Sequence, residues 1–392
     1  MALRSMDALA VEGRRVLLRL DLNVPVKDGK VGDETRIREA APTVRALADR
    51  GAVVIACSHL GRAKGKPDPA LSLAPVAPVL ERHVGRPVRF VGDLAGEAAR
   101  AAVAAARPGD VLLLENLRFD KGEESNDPAF CAALRALADV YVNDAFGTAH
   151  RAHASTAGVA QLFAERAAGP LMAREIHALS KVRDDPARPF VAVVGGAKIS
   201  GKLETLQSLA SLADTLVLVG GMANTFMLAQ GVQVGRSLVE ADLVDTAREI
   251  LATAATRGAT VLLPADVVVA SSLDAPGRVV GAAAVGPEDM ILDIGPAART
   301  AIAGVLAGAR TAFWNGPAGV FEREGFAAGT LAIAQAMAAS TAFTVVGGGE
   351  SVAAVHQAGV AARLGHVSTG GGASLEFLAG MVLRGVAVLG EP

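Results

Sequence analysis

Short apolar, β-branched runs recur along this chain, each followed by a longer Ala-rich stretch with helical spacing, and that alternation admits few architectures. Parallel strands cannot be joined by a hairpin. They need crossovers of a dozen or more residues, which these helical stretches supply. In the first half the pattern predicts strands over 16–20, 52–57, 88–90, 111–114 and 140–142. It predicts helices over 36–50, 95–106 and 128–138, the last capped by Asn126 or Asp127. In the second half strands are predicted over 190–194, 215–219, 260–262, 266–270, 290–294, 311–314, 343–346 and 366–368. A chain of 392 residues exceeds one ordinary core, so two domains are expected. The helical stretch 171–183 runs into Asp184-Asp185-Pro186, which places the joint. The fold class that follows is α/β: two doubly wound, Rossmann-like parallel-sheet domains joined by a helix, with a cleft between them.

The run 190–194 stops at Gly195-Gly196-Ala197-Lys198-Ile199-Ser200-Gly201-Lys202, and helical spacing resumes at Leu203. A strand, a Gly-rich turn and a helix start form an anion site, because free N–H groups and lysine ammoniums share one small space. Gly196, Gly201 and Lys202 match the spacing of a P-loop, but Leu203 stands where a Mg²⁺-binding hydroxyl is required, which argues against the Walker fold. The alternative is a tight turn with two solvated lysines. Lysine usage favours the anion site: eight lysines stand against thirty arginines, and none follows Lys202.

Residues that follow strands matter most, since ligands of open parallel sheets bind outside the carboxyl ends of the strands. In the first half these are polar and basic: Asp21 and Asn23, His59 and Arg62, Asn116 and Arg118, then Asn143, Asp144, His150 and Arg151, with Arg36 opening the first helix. Guanidinium forks on several strand ends suit carboxylate and phosphate oxygens, so an anionic ligand is expected. In the second half the strand ends are glycines, at 195–196, 220–221, 316, 347–349 and 370–372, which suit a nucleotide approached by backbone. Glu322 and Glu350 lie near these loops. Each has a functional reading as a holder of Mg²⁺ or of a ribose hydroxyl, and Glu350 also reads as a helix cap. One crevice for a small anion and another for a nucleotide describe a phosphotransferase.

Composition excludes other classes. A net charge of -2 gives no general attraction to nucleic acid or membrane, and aromatic residues are too few for base-stacking platforms. No apolar stretch has membrane-spanning length and no signal-peptide pattern is seen. Cys57 and Cys131 lack metal or redox spacing, and no N-glycosylation sequon occurs, so a cytoplasmic protein is expected, and a monomer. A dehydrogenase is disfavoured because no G-x-G-x-x-G opens a helix with an acidic residue about twenty positions on. A non-catalytic metabolite binder is the other alternative, which an ATP-forming assay separates.

Several motifs are more specific. Asp21-Leu22-Asn23-Val24-Pro25, His59-Leu60-Gly61-Arg62, Glu115-Asn116-Leu117-Arg118-Phe119 and Asn143-Asp144-Ala145-Phe146-Gly147-Thr148-Ala149-His150-Arg151 resemble phosphoglycerate kinases. So do Gly195-Gly196-Ala197-Lys198, Asn315-Gly316-Pro317-Ala318-Gly319-Val320-Phe321-Glu322 and Ser368-Thr369-Gly370-Gly371-Gly372-Ala373, all in family order. The resemblance implies transfer of the acyl phosphate of 1,3-bisphosphoglycerate to Mg-ADP, giving 3-phosphoglycerate and ATP reversibly. It implies a triose-binding domain over 1–170, a linking helix over 171–186, a nucleotide domain over 187–374 and a segment 375–392 that returns to the first domain. By the family pattern Asp21, Asn23, Arg36, His59, Arg62, Arg118 and Arg151 hold the triose. Lys198, Lys202, Glu322, Gly348, Gly349, Glu350 and Ser351 match nucleotide positions, Arg36 and Lys202 are the catalytic clamps, and Glu350 is the candidate Mg²⁺ ligand. Glu350 departs from the family, which usually has Asp there. Met381 and Arg384 replace the usual Lys and Pro.

Overall fold

A computed structural model describes residues 3–390, so residues 1–2 of the expected segment 1–170 and residues 391–392 of the expected segment 375–392 lie outside the described residues. By packing, the chain divides into two compact units: Met1–Ile176 with Val382–Pro392, and His177–Met381.

The first unit carries β1 (Arg15–Arg19), a small hairpin of β2 (Val26–Lys27) and β3 (Lys30–Val31), then β4 (Val53–Cys57), β5 (Val88–Val91), β6 (Val111–Leu114), β7 (Val140–Asn143) and β8 (Arg166–Ala168). Six of these strands form one sheet in the order β5-β6-β4-β1-β7-β8, and every neighbouring pair is parallel. The chain runs outward from β1 on one side and returns to β7 on the other, so the order reverses at β1. That reversal opens a crevice at the carboxyl ends of β1, β4 and β7. The strands read as unbroken apolar runs because helices cover both faces; all five residues of β4 are buried. Helix Thr35–Asp49 follows β1, and helix Pro128–Arg135 is capped by Asp127, whose Oδ1 accepts from Phe130 N at 2.9 Å.

The second unit carries β9 (Phe190–Val194), β10 (Thr215–Leu218), β11 (Thr260–Leu262), β12 (Asp266–Ala270), β13 (Arg278–Gly281), β14 (Met290–Ile294), β15 (Thr311–Asn315), β16 (Phe343–Gly347) and β17 (His366–Val367). Its main sheet has the order β11-β10-β9-β15-β16-β17, all parallel, and reverses between β9 and β15. Numbered from β9, this is the doubly wound order 3-2-1-4-5-6. The stretches 266–270 and 290–294 form strands as expected, but they leave the parallel sheet. They pair antiparallel as β13-β12-β14, around a strand the sequence pattern does not announce. The links between them are too short for a parallel crossover helix.

Helix Pro170–Arg183 spans the division between the units, which by packing falls between Ile176 and His177 and not after the helix at Asp184. Likewise the return to the first unit begins at Val382. Helix Gly372–Leu378 stays with the second unit because it docks on helix Leu203–Leu212: Thr205 Oγ1 donates to Leu375 O at 3.1 Å and Ser208 Oγ to Leu378 O at 2.7 Å.

Candidate active site

In the first unit the expected polar residues meet at the strand ends. Arg36 Nη1 donates to Asn23 O at 3.1 Å and pairs with the Asp21 carboxylate at 3.2 Å, which holds the guanidinium at the mouth of β1. Asn23 Oδ1 accepts from Gly61 N at 2.9 Å, tying the loop after β1 to the loop after β4. The buried Asn116 then fixes the loop after β6: its Nδ2 donates to Leu60 O at 2.7 Å and its Oδ1 accepts from Arg118 N at 3.0 Å. Arg118 donates to Gly61 O and pairs through Nε with Glu124 at 3.2 Å. Arg62 is exposed and makes no hydrogen bond or ion pair among the described residues.

His59 is 4 % exposed, and burial, with Arg19, Arg118, Arg151 and Arg36 around it, holds its pKa well below the ordinary value. Arg19 Nη2 lies 3.3 Å from His59 Nδ1. A guanidinium has no acceptor, so Nδ1 accepts and the neutral ring carries its proton on Nε2 as a donor. Burial, then Arg118, Arg151 and Arg19, likewise hold His153 down to about 4. These mutual effects place four arginines around two neutral imidazoles, an arrangement that stabilises an anion and has no proton to take from it.

Arg19 itself has no precedent in the sequence pattern, because it ends an apolar strand. It is 1 % exposed and donates from Nε to Ser155 Oγ at 2.8 Å, while Ser155 bonds the fully buried Glu123 through both Oγ and N, at 2.6 and 3.0 Å. Burial raises the Glu123 pKa, and Arg19 opposes it. Asp144, expected among the converging polar groups, turns away: it accepts from Thr43 Oγ1 and from Met172 N at 2.9 Å, capping the start of helix Pro170–Arg183. Cys57 is fully buried and its thiol is pushed up to about 12, which makes it an inert group.

In the second unit the glycine loops after β9, β10 and β15 interlock. Gly196 N donates to Pro317 O at 2.9 Å, Gly195 N to Asn315 O at 2.8 Å and Met222 N to Gly196 O at 3.0 Å. Gly316 has a φ of +90°, and a Cβ there would stand 2.2 Å from Gly195 O and 2.5 Å from Lys202 Nζ. Only glycine lets the two loops and the lysine meet. Lys202 precedes helix Leu203–Leu212 and donates from Nζ to Gly195 O at 2.7 Å. Burial lowers its pKa to about 8, with Glu350 pulling the other way. Lys202 is therefore a partly desolvated cation on the floor of the glycine loops. Ser351 is buried and its Oγ accepts from Gly316 N at 2.6 Å, so it braces the loop. Gly348, with a φ of +92°, and Gly349 lead into helix Gly349–Gln357, whose first turn carries the exposed Glu350. Lys198 is exposed on the turn.

Beside these loops a cavity of about 320 Å³ is lined by Gly196, Gly220, Gly221, Met227, Leu292 and Pro317, together with Glu322 and Glu350. Its size and apolar walls suit a nucleotide base and ribose. The antiparallel sheet supplies one wall, so this half of the site is invisible to a reading of strand ends. Asn224 lines the same cavity: its Nδ2 donates to Leu238 O at 3.1 Å, and its buried Oδ1 has no donor among the described residues. Among the described residues no three His, Cys, Asp or Glu side chains cluster as a metal cage. The exposed carboxylate of Glu350, beside Lys202 and the cavity, fits Mg²⁺ that arrives on nucleotide phosphates, since that ion takes one or two carboxylates and keeps its other ligands from phosphate and water.

The family model described as Phosphoglycerate kinase matches residues 6–381. The chain is 55% identical over 393 residues to the phosphoglycerate kinase of Moorella thermoacetica, covering 100% of both chains. It is 52% identical over 396 residues to that of Rhodospirillum centenum, again with 100% of both covered. Among solved structures, phosphoglycerate kinase from Coxiella burnetii superposes with a TM-score of 0.90 at 42% identity, covering 99% of each chain. The enzyme from Pyrococcus horikoshii does so with a TM-score of 0.86 at 33% identity, covering 98% of each.

Proposed function

The chain belongs to the phosphoglycerate kinase family, and we propose how its residues share that family's work. The reaction is the glycolytic one, reversible transfer of the acyl phosphate of 1,3-bisphosphoglycerate to ADP, giving 3-phosphoglycerate and ATP. In the proposed division the first unit takes the triose acid through Asp21, Asn23, Arg36, His59, Arg62, Arg118 and Arg151. The second takes the nucleotide through Lys198, Lys202, Glu322, Gly348, Gly349, Glu350 and Ser351. The observation that carries this reading is the contrast between the two strand-end sites: arginines around neutral histidines in one, interlocked glycine loops around a half-buried lysine in the other.

Such a site catalyses by alignment and charge. The moving phosphoryl group is loosely bonded at the transition state, with its charge on the equatorial oxygens, and the attacking ADP oxygen is already anionic. No general base is required, in keeping with histidines that burial and neighbouring arginines make weak proton acceptors. Arg36 is held by Asp21 and Asn23, and Lys202 by Gly195 O, so both cations are oriented before substrate arrives. Glu350 would hold Mg²⁺, which when bound neutralises phosphate charge. Water attacks acyl phosphates, so the reading includes closure of the two units during turnover. It also includes a cytoplasmic monomer, a setting that suits two buried free thiols. No helix among the described residues is long and apolar enough to cross a membrane. A coupled assay with 3-phosphoglycerate and Mg-ATP tests the reading: substrate-dependent ADP formation is expected, and its absence in folded protein overturns it.

A further inference from the structure

The turn that carries Lys198 and Lys202 is held at its start by Gly195 and Gly196, but not at its far end by Gly201. A Cβ at Gly201 would meet no atom within 4 Å, so that glycine is not there for close approach. Beyond its start the turn is held instead by a carboxylate remote in sequence. Glu240 Oε2 accepts from Ile199 N at 2.5 Å and from Ser200 N at 3.1 Å, and Oε1 accepts from Ser200 Oγ at 2.5 Å. Two successive backbone N–H groups and a hydroxyl around one carboxylate make an anion nest that the protein fills itself. Lys198 adds electrostatic attraction to the same carboxylate. Lys202 N then donates to Ile199 O at 2.8 Å, so the position of Ile199 is passed directly to the lysine.

Glu240 is anchored in turn. Its N–H donates to Thr225 Oγ1 at 3.1 Å, and Thr225 lies 1 % exposed on helix Gly220–Ala229. That helix also donates from Met222 N to Gly196 O, on the other side of the lysine turn. The turn is thus gripped at Gly196 and at Ile199–Ser200 by one helix, directly and through Glu240. We propose that Glu240 is a positioning residue for phosphoryl transfer, which sets the lysine turn against the transferred phosphate through hydrogen bonds. This rests on the nucleotide-side assignment of Lys198 and Lys202.

Substitution separates this role from general support. Gln at 240 keeps an oxygen for the two N–H groups and offers its amide to Ser200 Oγ, whose hydroxyl can rotate to accept, whereas Ala keeps nothing. In the full-length protein, Glu240→Ala is expected to lower kcat about 10- to 100-fold, the cost of a small misplacement of a charged clamp, while the KM for 3-phosphoglycerate stays put. Glu240→Gln is expected to restore most of that kcat. If Glu240→Ala does not fold, Ser200→Ala reads the same contact, with an expected loss of about 2- to 10-fold in kcat, the worth of one hydrogen bond. Wild-type kcat in folded Glu240→Ala, or in Ser200→Ala where that variant stands in, overturns the proposal, as do equal losses in the Ala and Gln variants. Lys202→Met run alongside tells the two readings apart: full turnover there sinks the lysine assignment, whereas loss there with none in Glu240→Ala sinks the role of Glu240 alone.

Discussion

Lys202 shows how much one residue's surroundings decide. Its ammonium is lowered from 10.5 to about 8 because it is buried, so it is a cation at neutral pH that the fold holds at a cost. The kcat/KM for nucleotide should therefore fall as pH rises through about 8, as the free protein loses this charge. Lys202→Met should lose roughly 10²- to 10³-fold in kcat and abolish that alkaline limb, which parallel pH profiles of both proteins would show. Stability carries the opposite sign. A depressed folded pKa penalises the protonated form fully below about 8, and the penalty fades as pH rises toward 10.5. Lys202→Met should accordingly melt no lower than the parent at pH 7, and any advantage should shrink above pH 8. A lower melting temperature at pH 7 would mean that the bond to Gly195 O outweighs the burial penalty. His59 was legible because it follows a strand, and Arg36 and Lys202 because they stand where helices begin after strands. Arg19 was not, being one charge inside an apolar run, and neither was Glu240, which holds a turn 40 residues away.

At the level of elements, unbroken apolar runs make the strands buried on both faces the clearest in the sequence; β4, β9 and β15 are buried throughout, while the partly exposed β5, β11 and β17 are shorter runs that were also legible. The two-residue β2 and β3, the short β8 and the mostly exposed β13 carry too little apolar pattern to be seen. β12 and β14 were legible as strands, but not as a cavity wall, since pairing direction depends on partners distant in sequence. Glycine loops were legible as loops, but not which glycines are obligatory. Gly195 is: a Cβ there would stand 2.3 Å from Pro317 O and 2.8 Å from Gly316 O, both backbone atoms that cannot step aside. Gly195→Ala should thus separate the β9 and β15 loops, lowering stability by about 1–3 kcal/mol, as overpacking does, and removing Mg-ADP affinity. Gly201→Ala should leave stability within about 0.5 kcal/mol of the parent and retain turnover. Urea unfolding and nucleotide titration of the two variants check both, and similar behaviour would show that the interlocking of the loops does not govern the site.

At the scale of the whole molecule, the first unit is completed by a tail that no local pattern announces. Val382–Pro392 belongs to the first unit although the second lies between them in sequence. Leu383, Val386 and Leu389 are buried there, Gly385 N donates to Ala149 O at 2.7 Å, Arg166 donates to Val388 O, and Leu3 bridges to Gly390. Three such side chains represent roughly 5 kcal/mol of burial, a large share of a domain's 5–15 kcal/mol. Deleting 382–392 should therefore lower the melting of the first unit and its 3-phosphoglycerate affinity while Mg-ADP binding persists. A fragment ending near Val182 would suffer the same loss, since it too lacks the tail. Calorimetry on the truncated chain would show this, and equal loss of both ligands would refute it. The central claim, that the arginine site and the lysine site serve different substrates, meets its most direct test in titration calorimetry of Arg36→Ala and Lys202→Met. The account predicts that Arg36→Ala loses 3-phosphoglycerate affinity and keeps Mg-ADP, while Lys202→Met does the reverse; loss of the opposite ligand in either variant would contradict it.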